Sequence, residues 1–310
     1  MALHLVDAAK LSDDVLVKGV IEQVVKASPL AKQIPFVELN GNALAINIED
    51  ENNQPTVQFY APNDTWEEST GKTDQKAFTL TILGGDADVD RFIQKTRSNI
   101  NDQMAVQVAM KSKAMAHTFD QAAIYGVAQG SKEFNGLHWY VDNFGCPQFH
   151  MGTGTTGAAL SMYTLDEAID AMPESPDFLL LSKTMRRRIN WYLKKNGSYA
   201  EERDRWGDYV ETYRGIPMVV SDWLLQTEAI ADGAYDAKTG GNTTSIFIVK
   251  TGEEEGLVGL QNGGIQKEVF PKLEAKNAMR TRLVWYVALA LYKRLSLVRI
   301  DGITDAAVTD

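Results

Sequence analysis

Hydrophobic positions recur with three different periods along this chain, and each change of period marks a change of element. Over residues 12–27, Val17, Val20, Ile21, Val24 and Val25 line one face at helical spacing. Ser12 suits the N-cap, and Asp13 and Asp14 suit the positive N-terminal end. Pro29 and Pro35 stop the helix. A short apolar-striped helix set off by prolines predicts an arm that docks on another surface.

Over residues 36–83 the period falls to two. The stretches "LAINIED", "VQFY" and "AFTLTIL" alternate as strands do, separated by the polar turn segments "EDENNQP" and "PNDTWEESTGKTDQK". The block is poor in bulky apolar residues and cannot build a core alone. It predicts an extended two-stranded excursion lying on a neighbour. Trp66, in strongly polar surroundings, reads as an anchor into another surface or as simple loop packing.

The helical period returns over 86–116, carried by Val89, Phe92, Ile93, Ile100, Met104 and Val108. Asp86 or Asp88 can cap it, and no Pro or Gly interrupts it. Such a helix spans about 45 Å, a structural strut. "TFDQAAIYG" continues it, and Gly126 closes it. A turn-rich connection, "KEFNGLHWY" and "VDNFGCPQFH", follows.

From residue 160 strands and helices alternate. "TLDEAIDAM" predicts a helix with Thr164 as N-cap and Glu167 completing a capping box. "PDFLLLS", "GIPMVVS" and "TSIFIVK" predict strands, and "SKTMRRRINWYLKK" a basic helix. This is the pattern of a compact α/β module. The last third returns to strands with "GIQKEVF", "LVWYVALALY" and "LSLVRI". The chain therefore leaves one module, builds another and comes back.

Composition narrows the function classes. The chain has 310 residues, 44% of them hydrophobic, enough to bury a sizeable core. Its formal charge of −10 disfavours a dedicated nucleic-acid binder, which concentrates positive charge. Cys146 is the one cysteine, so an intrachain disulfide is impossible and the residue reads as a small core side chain. "MALHLVDAAK" lacks the basic start and apolar run of a signal peptide. "LVWYVALALY" is too short to cross a membrane, which needs about 20 residues. A soluble protein made in the cytoplasm is expected, without membrane contact.

Candidate chemistry is sparse. In "MGTGTTGAAL", Gly152, Gly154 and Gly157 fit the spacing of a dinucleotide-binding loop. That loop must follow a strand and open a helix. Upstream "NFGCPQFH" shows no clean strand, and Glu174 and Asp177 lie beside prolines, so a small-residue linker is the reading. His4, His117, His138 and His150 are scattered, with no metal-ligand spacing. No catalytic, cofactor-binding or metal-binding residue is assigned. The basic run Lys183, Arg186, Arg187, Arg188, Lys194 and Lys195 could grip phosphate or face solvent or another subunit. The mixed-charge "EERDRWGD" could complement it across an interface. Glu253, Glu254 and Glu255 read as a solvated turn.

In this order the segments resemble the major capsid proteins of tailed bacteriophages, of the Hong Kong-phage type, a fold shared with encapsulin shells. The carriers are the arm, the long hairpin and the helix "VDRFIQKTRSNINDQMAVQVAMKSKAMAHTFDQAAIYG". To these add "IYGVAQGSKEFNGLHW", "TLDEAIDAM" with "FLLLSKTMRRRI", "YRGIPMVVSDWL", and "RTRLVWYVALALYKRLSLVRIDGI". In "IYGVAQGSKEFNGLHW" Tyr125 and Val127 replace the family's usual Asn and Asp. The resemblance implies an α+β capsid fold. Its parts would be an N-terminal arm (1–35), an extended β-hairpin E-loop (36–84) and a P-domain with a long spine helix (85–158). An α/β A-domain (159–262) and returning P-domain strands (263–310) would complete it.

The function the resemblance implies is structural and non-enzymatic. Subunits would form hexamers and pentamers that close an icosahedral virion shell around double-stranded DNA, assembled in the host cytoplasm without sequence-specific DNA binding. Many family members carry a scaffolding segment ahead of the arm. This chain starts almost at the arm, so either a separate scaffolding protein, the expected partner, is used or Met1 follows a processed or trimmed segment. A portal is the other partner the resemblance implies. No cofactor is implied. Trp66, Glu67, Glu68 and Lys72 on the E-loop, and Arg186, Arg187 and Arg188, are the candidate intersubunit contacts. Some family members crosslink an E-loop Lys to a neighbour's Asn. Lys72 and Lys76 are available here, but Asn277 falls about two positions from the expected place, so no crosslink is expected. An encapsulin-like compartment holding a protein cargo is the alternative, and a nucleotide-dependent enzyme built on 150–260 the remoter one.

Overall fold

Strand pairing divides the alternating segments among three sheets. The computed structural model describes residues 28–49, 55–70, 73–92, 103–152, 156–197, 200–203, 209–229, 240–274 and 276–310, together with Val24. The predicted arm helix over 12–27 lies almost wholly outside them. The first helix, α1 (Pro29–Gln33), starts at an N-cap made by Ser28, whose side chain accepts the Ala31 N–H at 3.0 Å. Pro29 at its first position costs nothing there, because that N–H has no helical partner.

A four-stranded sheet runs in the order β1 (Phe36–Glu38), β11 (Leu257–Phe270), β12 (Ala278–Leu291) and β4 (Thr81–Asp90). β11 and β12 make a long antiparallel hairpin with a bulge between Asn262 and Ile265. Gly263 and Gly264 sit there at φ of 67° and 62°, a left-handed conformation that glycine adopts without strain. The long helix α2 (Gln103–Tyr125) packs against this sheet. Phe119 meets Trp285 at 5.0 Å between ring centroids, and Phe36 meets Trp285 at 5.4 Å.

The second sheet has seven strands. Its order is β5 (Gln148–His150), β13 (Leu297–Thr304), β10 (Thr243–Val249), β6 (Phe178–Leu181), β9 (Ile216–Val220), β8 (Tyr209–Tyr213) and β7 (Ala200–Arg203). Its central strands are buried on both faces, which is why "FLLL" and "SIFIV" are continuous apolar runs rather than alternating ones. Phe178, Leu180, Phe247 and Val249 point into the core shared with α2 and with α3 (Leu137–Phe144). Leu179, Leu181, Ile246 and Ile248 point the other way, to α4 (Met162–Asp170) and α5 (Lys183–Lys195). Each such side chain contributes about 1.5–3 kcal/mol when fully buried. The third sheet is the hairpin β2 (Ala43–Glu49) with β3 (Thr73–Thr79), which joins neither of the others.

Several sequence expectations change. The helix expected from residue 86 is β4 as far as Asp90. Asp86 and Asp88 are not caps: they sit directly opposite Arg282 and Arg280 on β12. The Arg282 pair closes at 2.8 and 3.1 Å and the Arg280 pair at 2.6 and 2.8 Å. Two bidentate cross-strand ion pairs favour the extended backbone over the helix that spacing alone suggested. The hydrogen bonds from Arg280 hold the Asp88 carboxyl down at about 2. Ile93 and Ile100 lie outside the described residues. The described helix, of 23 residues, spans about 35 Å.

Smaller corrections follow. The N-cap of α4 is Ser161 rather than Thr164, whose own N–H the Ser161 side chain accepts. "VQFY" forms no strand. β1 and β4 belong to the four-stranded sheet, so the hairpin proper is shorter than 36–84. β11 takes up that sheet again at Leu257, ahead of residue 263, and the last strand, β13, pairs with β10 and β5 in the seven-stranded sheet. Cys146 is buried, and burial pushes its thiol up to about 12, in keeping with a core role.

Candidate intersubunit surfaces

The hairpin β2–β3 is anchored through its base and the adjoining part of β2, where Leu44 and Ile46 pack against the core. Phe78 is buried there, 6.1 Å from the Tyr140 ring and 5.9 Å from that of Phe144. The Tyr140 hydroxyl donates to the Leu289 carbonyl at 2.7 Å, tying α3 to β12 beneath the hairpin. Lys76 lies over the Phe144 ring at 5.6 Å. Beyond that base, residues 55–70 run as two exposed arms without a backbone ladder.

Side chains hold those arms together. The Ser69 hydroxyl accepts the Thr56 N–H at 2.8 Å and donates back to the Thr56 carbonyl at 3.1 Å. Gln58 donates to Glu67 Oε2 at 3.1 Å, and the Tyr60 hydroxyl accepts the Glu67 N–H at 3.2 Å. Tyr60 and Trp66 stack at 4.3 Å. Trp66 is still 77% exposed, Val57 is 90% exposed, and Phe59 is fully exposed. Three large apolar side chains on one loop are thus left largely uncovered by their own subunit. Glu68 is exposed beside them; Lys72 lies outside the described residues.

The basic helix is less free than its sequence suggests. Arg186 pairs with Glu211 at 3.5 Å, and Arg188 binds the Asp305 carboxylate at 2.8 Å and its carbonyl at 3.3 Å. Lys183 pairs with Asp222 at 2.6 Å. Arg187 remains exposed. The acidic partners come from β8, the turn after β9 and the C-terminal segment, whereas 204–208 of "EERDRWGD" lie outside the described residues. The structure does not bring Arg186–Arg188 near Trp66, Glu67 and Glu68 as one site; they stand on separate elements.

The glycine stretch is also placed. β5 does precede it, a short strand not apparent from the sequence. No helix opens at Gly157, however: the chain stays extended, bridging Ala158 to Ile303, and α4 begins only at Met162. A Cβ on Gly157 would lie 2.5 Å from the Gly302 carbonyl oxygen, so close packing against β13 accounts for that glycine. Among the described residues no group of His, Cys, Asp or Glu could hold a metal.

A model of the SU10 major capsid protein family matches residues 63–245. The chain belongs to that family.

As a major capsid protein it takes its place in the virion capsid. Its fold agrees with solved capsid shells despite low identity. The SrpI encapsulin complex of Synechococcus elongatus PCC 7942 is similar at a TM-score of 0.69 and 17% identity, over 91% of this chain and 89% of that one. The capsid of cyanophage A-1(L) gives 0.64 at 13%, over 89% and 93%. The capsid of a native GTA particle gives 0.62 at 12%, over 90% and 91%. No curated protein matches the sequence.

Within this capsid protein a buried polar cluster ties α2 and α3 to β10 and β13 of the seven-stranded sheet, and sequence reasoning missed it. Glu228 is 2% exposed. It accepts from the Tyr125 hydroxyl and from Ser245 Oγ at 2.5 Å, with His138 Nε2 at 3.2 Å and the Arg299 guanidinium at 3.6 Å. The Tyr125 hydroxyl in turn accepts the Leu225 N–H at 3.0 Å. Burial pushes the Glu228 carboxyl up, but His138, Arg299 and Ser245 outweigh it and hold it below its ordinary value. Burial first, and Arg299 second, push His138 down. The cluster is therefore a carboxylate paired with a guanidinium beside a neutral imidazole, its charges balanced and its partners internal. The sequence signal was Tyr125 in place of the family's usual Asn, at the end of the long helix.

Proposed function

We propose that this chain is the self-assembling wall subunit of an icosahedral phage head, arranged in hexamers and pentamers around double-stranded DNA and performing no catalysis. The observation that carries the reading is the hairpin that joins neither large sheet, with Val57, Phe59 and Trp66 exposed on its loop. A monomer gains nothing from that arrangement, whereas a shell subunit gains buried area on a neighbour. Trp66, Glu67, Glu68 and Lys72 form the contact on this loop, and Arg187 leads the second, since Arg186 and Arg188 are engaged within the subunit. In this reading residues 1–35 are the arm, the hairpin with its loop is the E-loop, and the four- and seven-stranded sheets organise the P- and A-domains. A scaffolding protein and a portal are the partners, and the net negative charge keeps packaged DNA from adhering to the wall.

A second reading is supported by the likeness in fold to the encapsulin complex: the same wall built around a protein cargo. Nuclease treatment of particles recovered from cells separates the two. Protected double-stranded DNA inside supports the phage head. Particles free of DNA that carry a stoichiometric second protein support the compartment.

A further inference from the structure

Asp120 is a carboxylic acid buried in the apolar core, on the face of α2 that receives α1. Its side chain is 1% exposed. The Ser28 hydroxyl, which caps α1, donates to its Oδ1, while its Oδ2 is buried without a hydrogen-bond partner. Around this contact Val24, Leu30, Ala31 and Ile34 are fully buried against α2, so the segment that leads from the arm into the first sheet is seated on Asp120.

We propose that Asp120 is a proton-operated latch, holding the Ser28–Ile34 segment against α2 when protonated and loosening it when ionised.

The physical reason is the missing partner. A buried carboxylate needs hydrogen bonds or a cation to be tolerated, and one of these two oxygens has neither. Among the described residues no other charge supplies the deficit. On α2 itself, His117 lies against Trp223 one turn earlier, and Lys111 and Lys113 are exposed. On α1, Lys32 lines a cleft with Arg186 and Glu211. From α3, His138 turns to Glu228, and Asp142 is influenced instead by Arg299 and His138. From β4 and β12, Asp86 and Asp88 are taken by Arg282 and Arg280. Among the described residues none forms an ion pair with Asp120.

Burial pushes the Asp120 carboxyl up to about 7, with the Ser28 hydroxyl and the Leu30 N–H pulling weakly the other way. Once the segment lifts away, water restores the ordinary carboxyl value of 3.8. The docked state therefore binds the proton more tightly. Its advantage is complete below the ordinary value and is lost as pH rises to about 7, beyond which no further change occurs.

Hydrogen exchange of the full chain tests this at the Ala31 and Ile34 amides, bonded to Ser28 Oγ and to the Leu30 carbonyl. The opening equilibrium there, corrected for intrinsic exchange, is expected to rise about tenfold per pH unit between pH 5 and 7 and then level. Amides of β10 serve as the unaffected reference. Asp120→Asn, which cannot ionise, is expected to abolish the slope. Ser28→Ala removes a bond that favours ionisation and is expected to move the levelling point to higher pH, which decides the matter if Asp120→Asn does not fold. A flat wild-type profile, or an unchanged slope in Asp120→Asn, overturns the proposal.

Discussion

At the scale of single residues, the buried carboxyls of Glu228 and Asp120 behave in opposite ways because their partners differ. Glu228 has a guanidinium, two hydroxyls and an imidazole around it and stays ionised; Asp120 has only the Ser28 hydroxyl and the Leu30 N–H among the described residues, and burial pushes it toward the neutral form. Removing Glu228 leaves Arg299 buried and unpaired, so Glu228→Ala is expected to lose about 3 kcal/mol in denaturant unfolding. The pH dependence has the reverse sign to that of Asp120. A depressed carboxyl contributes stability that is present above its ordinary value of 4.5 and lost as pH falls through the depressed one. Thermal melts between pH 5 and 3 are therefore expected to fall more steeply for wild type than for Glu228→Gln. Gly126 makes a different demand. A Cβ there would lie 2.3 Å from the Phe134 carbonyl oxygen, where the Gly136 N–H reaches the Gly126 carbonyl at 2.8 Å. Gly126→Ala is expected to cost at least about 2 kcal/mol by forcing that backbone apart, readable in the same unfolding experiment.

At the scale of elements, what could be read in advance depended on whether local pattern and tertiary context agreed. The buried strands "FLLL" and "TSIFIV" and the basic helix after Ser182 were legible because burial, capping and propensity coincide there. The segment 86–90 was not, because its apolar spacing fits a helix while its acidic residues are matched to arginines nearly 200 positions away, a pairing that one sequence does not display. The loop was half legible. Trp66 stood out in polar surroundings, but "VQFY" alternates like a strand and so hid Val57 and Phe59 as exposed residues. The loop's role separates cleanly from folding. Trp66→Ala removes an exposed side chain and is expected to change unfolding free energy by less than about 0.5 kcal/mol. Assembly into particles, followed by light scattering or sedimentation, is expected to fall sharply. Normal assembly of that variant would remove the loop from the contact.

At the scale of the whole molecule, two sheets share one core while a third, minimal sheet stands apart. The shared core explains why the chain crosses between modules: β11 and β12 complete the four-stranded sheet, and β13 then completes the other. The order of segments made the architecture legible even though no single motif did. The assignment of β13 was not legible, since a strand's neighbours are set by topology rather than by its own residues. The separate hairpin is the feature a solitary globule does not explain and a closed wall does. The most direct measurement is electron microscopy of the purified full-length protein. Closed particles, or rings of five and six subunits, are the predicted result. A monodisperse monomer or dimer under all assembly conditions, including phage lysate, would contradict the account.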